Sequence, residues 1–107
     1  MKLCATADVR PGKSQLIEIA GRSLLLCHTA GGFSLIENRC THKALPLEGG
    51  RLIGNEIICP HHGARFCLTD GRAIAGAIRP LKIYEIAVTS GEISARVPAE
   101  WDEAPTG

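Results

Sequence analysis

QLIEIAGRSLLLCHTAGGFSLIE, residues 15–37, sets the fold class. QLIEIA (15–20) alternates apolar and polar residues until Gly21 breaks it. RSLLLCH (22–28) follows, then the glycine-containing turn TAGG, then FSLIE (33–37). Period-two runs separated by short glycine turns predict three strands in a hairpin-linked meander. The same pattern recurs further on, where KIYEIAV (82–88) alternates, TSGE turns, and ISARV (93–97) pairs back. EIIC, ending at Cys59, and ARFC (64–67) are shorter strand candidates, and Cys4 falls in a first short strand. TDG (69–71) is a further hairpin turn, with Gly71 suited to positive φ. No segment keeps a 3.6-residue period over ten positions. These features predict an all-β antiparallel sandwich or barrel of short strands.

The chain has 107 residues, enough for one domain and its core, so residues 1–107 are expected to form a single domain. Only four residues are aromatic, so the core must be aliphatic. A formal charge of +1 gives no general attraction to nucleic acid or to a membrane. LLLC (24–27) is far too short to span a bilayer. MKLCATADVRPGK has no apolar stretch of signal-peptide length, so a cytoplasmic protein is expected. Five cysteines, at 4, 27, 40, 59 and 67, do not suggest a secreted disulfide framework. In a reducing compartment, metal ligands, catalytic thiols or small buried residues are the usual readings.

Residues 38–72 break the β pattern. NRCTHKALPLEGGRLIG is rich in Gly, Pro and polar residues and is expected as a long loop, followed by a short strand and a second loop, CPHHG (59–63). Long loops inside compact domains are usually functional. PAEWDEAPTG (98–107) is expected as a flexible tail. The two loops carry Cys40-Thr-His42 and Cys59-Pro-His61-His62-Gly63. A single Cys–His neighbour pair is most often structural, but two such pairs on Gly/Pro-rich loops flanking a strand are hard to obtain by chance. Two thiolates and two imidazoles suit zinc, or an iron–sulfur cluster in which His replaces two Cys. Zinc fingers usually group their cysteines together and their histidines together. Here each loop supplies one of each, which suits a two-iron cluster.

CTHKALPLEGGRLIGNEIICPHHGARF, with the TDGR turn and LKIYEIAVTSGEI behind it, resembles the Rieske 2Fe–2S domain. It is most similar to the small Rieske ferredoxins of bacterial ring-hydroxylating dioxygenase systems. The resemblance runs along nearly the whole chain and implies a Rieske iron–sulfur-protein fold with a two-loop cluster-binding subdomain at about 38–72. It also implies one 2Fe–2S cluster per chain, with Cys40 and Cys59 on one iron and His42 and His62 on the other. The family's second-loop histidine precedes a glycine, which selects His62 and leaves His61 at the variable position. The family's histidines bind through Nδ1, and the glycine, here Gly63, lets backbone N–H groups approach the sulfurs.

Neutral imidazoles in place of two thiolates bring the oxidised centre from −2 to zero charge, so reduction is easier. Rieske centres accordingly span about −150 to +300 mV, against about −400 mV for plant-type clusters. High-potential relatives carry a disulfide cysteine in each loop, where this chain has Leu45 and His61. They also use Ser and Tyr hydroxyls toward the cluster, where this chain has Ala64 and Phe66. The expected potential is therefore near the low end, about −150 mV.

Cys67 is expected as a buried or edge-strand thiol, Cys27 as a core residue and His28 as solvent-exposed. His61 is expected at an exposed tip. Residues 38–72 carry +2 and the remainder −1, which reads as ordinary surface charge, or more sharply as Lys43 and Arg65 steering a partner. No second His/carboxylate iron site and no G-x-G-x-x-G are present. The resemblance thus implies a monomeric electron carrier, not an enzyme. It would take electrons from a flavin-containing NAD(P)H-dependent ferredoxin reductase and pass them to a terminal Rieske non-haem iron oxygenase of aromatic catabolism. The alternatives are a small subunit of another redox complex, such as nitrite reductase, and a zinc-stabilised binding module.

Overall fold

A computed structural model describes residues 2–41, 45–61 and 63–96. The expected tail at 98–107 lies outside them. Ten strands follow in order: β1 (Lys2–Ala5), β2 (Ser14–Ile19), β3 (Arg22–Thr29), β4 (Gly32–Glu37), β5 (Arg51–Ile53), β6 (Glu56–Ile58), β7 (Arg65–Cys67), β8 (Ala73–Ala75), β9 (Ile83–Thr89) and β10 (Glu92–Arg96). One 3₁₀ turn spans Thr6–Asp8. No helix among the described residues is long and apolar enough to cross a membrane.

The strands form two antiparallel sheets, one of six strands in the order β1-β10-β9-β4-β3-β2 and one of four in the order β5-β6-β7-β8. The meander of 15–37 is present as β2, β3 and β4, and the later hairpin as β9 and β10. The chain leaves the large sheet at the end of β4 and re-enters it at β9, the adjacent strand. Everything between Glu37 and Lys82 is an insertion whose two ends are neighbours, tied where the Glu37 N–H donates to the Lys82 carbonyl (3.1 Å).

LLLC explains how the two parts join. Leu24 and Leu26 face a core with Val9, Ile19, Leu35 and Ile93. Leu25 and Cys27 face a second core with Ile36, Ile57, Phe66 and Leu68, on the inserted side. β3 is therefore buried on both faces, which is why its apolar run is continuous rather than alternating. Successive side chains on a strand point to opposite faces, so one strand supplies both cores.

Two short strands escape the sequence pattern. RLI was expected inside the long loop, but it forms β5, pairing with β6 across Gly54–Asn55. Three residues with only Leu52 turned inward give too little periodicity to read. β8 likewise follows the TDG turn with three small or exposed residues. Gly71 has φ +82° as its turn requires, and a Cβ there would run into the Leu81 carbonyl oxygen.

His28 is not solvent-exposed as expected. It lies opposite Phe33 across β3 and β4, and the rings stack at 4.0 Å. Its Nδ1–H donates to the Val9 carbonyl (2.8 Å), so the ring is half-buried and ties the 3₁₀ segment to β3.

Candidate metal centre

Two loops at the tip of the insertion are closed in the same way. The Cys40 N–H donates to the Leu45 carbonyl and the Cys59 N–H to the Ala64 carbonyl, each at 2.7 Å. Each cysteine thus opens a loop that returns to it five residues later. In the second loop Gly63 N–H also donates back to the Cys59 carbonyl (3.0 Å), and the pair Ile58↔Arg65 closes the strands beneath. In the first loop Asn38 acts as the clamp. Its Oδ1 accepts from the N–H groups of Leu47 and Glu48 (2.8 Å each), and its Nδ2 donates to Ser23 Oγ (3.0 Å).

The closures place Cys40 and Cys59 in one apolar cluster with Leu25, Ile36, Leu47 and Ile57, at 0% and 1% exposure. His42 and His62, the expected imidazole ligands, lie outside the described residues. Among the described residues alone, no group of three or more His, Cys, Asp or Glu side chains could hold a metal ion. A buried thiolate is costly unless its charge is compensated. Two cysteines carried into one dry core by matched loops therefore fit the sulfur side of a cluster, with metal charge compensating theirs.

Cys27 shares that core but differs in kind. Burial pushes its thiol up to about 12, so it stays protonated and inert, as expected of a core residue. Cys67 is half-buried on β7, beside Asp70. The Arg72 backbone N–H and guanidinium hold the Asp70 carboxyl below its ordinary value. Ala64 and Phe66 are fully buried in the core with Cys40 and Cys59 and carry no hydroxyl. Leu45 is 36% exposed and His61 is exposed, each on its own loop.

Arg65 is not the uncommitted charge that steering would need. Its Nε and Nη2 reach Glu56 Oε1 at 2.9 and 2.5 Å across β6 and β7. Sequence reasoning also missed three positioning groups. Asn38 is one. Asn55 is another, joining three turns: it accepts from Thr29 Oγ1 (2.7 Å) and donates to Thr69 Oγ1. The third is the segment 76–80, which braces both cysteine loops. Thr41 Oγ1 donates to the Arg79 carbonyl (2.7 Å). Gly76 (φ +75°) lies so close to the second loop that a Cβ there would meet Ala64 Cα at 2.9 Å. Asn38, two residues before Cys40, and Gly76, four before Pro80, are visible as residue types, but nothing near them in the sequence names their partners.

Residues 1–85 match the family model for the Rieske [2Fe–2S] domain. The chain is 34% identical over 95 residues to Ferredoxin CarAc of Metapseudomonas resinovorans, covering 87% of this chain and 89% of that one. Among solved structures, it superposes on a chain of the complex of reduced oxygenase and oxidised ferredoxin in carbazole 1,9a-dioxygenase with a TM-score of 0.83, at 30% identity, covering 90% of this chain and all of the other. The Sphingomonas yanoikuyae B1 ferredoxin gives 0.84 at 28% identity, covering 92% and 98%. The matched loops, their buried cysteines and these likenesses agree: the chain belongs to the Rieske [2Fe–2S] domain family, where it is a ferredoxin that holds a Rieske-type cluster and carries electrons rather than an enzyme.

Proposed function

We propose that Cys40 and Cys59 hold one iron and His42 and His62 the other. The chain would carry single electrons from a flavin-containing NAD(P)H-dependent reductase to a terminal Rieske non-haem iron oxygenase of aromatic catabolism. The observation that carries the ligand reading is the burial of Cys40 and Cys59 in one core, on loops closed by equivalent hydrogen bonds. When bound, the cluster supplies reversible one-electron chemistry. The protein's own residues keep water from the sulfur side, since Leu25, Ile36, Leu47 and Ile57 surround it. Residues 1–107 act as one domain, with the cluster-binding part at about 38–72, working as a cytoplasmic monomer.

The named relatives support the oxygenase as acceptor, since one solved likeness is a complex of oxygenase and ferredoxin. An anaerobic reductive titration tests the carrier reading. One electron per chain should be taken up, and returned when a terminal oxygenase is added. Uptake of none, or retention of the electron in the presence of every oxygenase tried, would contradict it.

A further inference from the structure

Four ion pairs among the described residues engage Lys2, Arg65, Arg72 and Arg96. Arg39, Arg79 and Lys82 belong to none of these, and Arg39 and Arg79 share one side of the first cysteine loop. Arg39 precedes Cys40 directly. Arg79 is held over the same loop by the Thr41 hydroxyl. Lys82 sits at the neck of the insertion, its Nζ 5.5 Å from the Tyr84 ring. Arg39 and Arg79 line one open groove with Glu37, Cys40, Thr41 and Pro80. Among the described residues Glu37 is the one carboxylate lining it, and Glu37 also accepts from the Lys82 backbone N–H (3.3 Å).

The residue just before Arg79 adds an apolar element. Ile78 is 97% exposed, the most exposed of the large apolar side chains among the described residues. A lone exposed isoleucine needs no explanation by itself. Ile78, however, stands on a segment pinned to Thr41 of one loop and packed on Ala64 of the other. Covering it against a partner would take a whole apolar side chain out of water, which favours association. An apolar tip beside Arg79, fixed to both cysteine loops, is suited to pressing into a partner.

We propose that Arg39, Arg79 and Ile78 form the docking face for an acidic redox protein with an apolar socket, with Lys82 extending the positive field along the neck. The proposal rests on the electron-carrier reading. The whole chain carries only +1, so its total charge gives little steering, and attraction must come from this local patch.

Small and protein oxidants of known charge test it, using the reduced cluster-loaded protein. Each ferricyanide ion takes one electron from one chain and becomes ferrocyanide. Its rate should fall as salt rises, whereas the rate with the cation tris(phenanthroline)cobalt(III) should rise. Arg39→Gln with Arg79→Gln should lower the low-salt ferricyanide rate about tenfold and flatten its salt dependence. Arg79→Lys should keep most of the rate. Arg10→Gln, beside the other core, should change nothing. With acidic cytochrome b5 as acceptor, Ile78→Ser should slow transfer several-fold while the absorption spectrum and midpoint potential stay at wild-type values. Equal salt dependence in wild type and the double Gln variant would overturn the cationic face. An unchanged cytochrome b5 rate in Ile78→Ser would remove the apolar tip. A chain that accepts no electron fails the carrier reading instead, which separates the two failures.

Discussion

Replacing Asn38 by Ala removes the clamp on the first cysteine loop. Three hydrogen bonds are lost, at 2.8, 2.8 and 3.0 Å, and they are not equivalent. Ser23 and Glu48 are exposed, so water replaces the lost partner and each costs a few tenths of a kcal/mol. Leu47 is fully buried, and its N–H is left with no acceptor among the described groups. A buried unpaired donor costs about 1–3 kcal/mol, so that one group dominates and the total is about 2–4 kcal/mol. Asn38→Asp keeps the accepting oxygen and should cost under about 1 kcal/mol, because Ser23 can reverse its role and donate. Urea unfolding of the cluster-loaded protein, followed by visible absorption and by far-ultraviolet circular dichroism, measures both variants. In Asn38→Ala the colour should be lost at lower urea than the β signal. If Ala and Asp cost the same, or Ala costs less than about 0.5 kcal/mol, the clamp is not what holds this loop.

His62→Ala should abolish the cluster, while His61→Ala, altering only an exposed side chain, should retain its iron content and spectrum; the reverse outcome would transfer the ligand role to His61. Ala64→Ser with Phe66→Tyr adds two hydroxyls to the buried side of the site, and donors to the sulfurs favour the reduced, more negative state. Protein-film voltammetry should show the potential rising from about −150 mV toward the middle of the Rieske range, and a fall or no change would count against hydroxyl tuning. Cys27 titrates from 9.0 when free to about 12 in the fold, so its contribution is fully present below pH 9 and is lost as pH rises toward 12. Stability should therefore decline at alkaline pH by about 1.4 kcal/mol per pH unit from this group, on the order of 4 kcal/mol in all. Cys27→Ala should flatten that part of the urea-midpoint profile, and an unchanged slope would show that the thiol does not ionise on unfolding.

The large sheet is legible because β2, β4, β9 and β10 largely alternate and short glycine turns separate the strands, while β3 reads as a short continuous apolar run between two of those turns. The inserted sheet was less so. β5 and β8 are three residues long, and their stability comes from pairing with β6 and β7 rather than from their own pattern. LLLC identified a strand but not that it divides two cores, because burial on both faces depends on which elements lie above and below it. The four positions proposed as ligands, Cys40, His42, Cys59 and His62, stood out by residue type and spacing. What arranges them did not: Asn38, Thr41 and Asn55 act through partners 9 to 38 residues away, and no local signal carries such a contact. His28 was misjudged for the same reason, since stacking on Phe33 is set by strand register. Arg65 reads as free charge in the sequence because Glu56 becomes its neighbour only across the β6–β7 pair.

Electron paramagnetic resonance of the reduced, iron-loaded protein tests the central claim most directly. Ligation by Cys40, Cys59, His42 and His62 predicts a red-brown protein whose reduced form gives the low-average-g signal of mixed Cys/His coordination. A colourless zinc protein, or a reduced spectrum of the all-cysteine ferredoxin type, would contradict it.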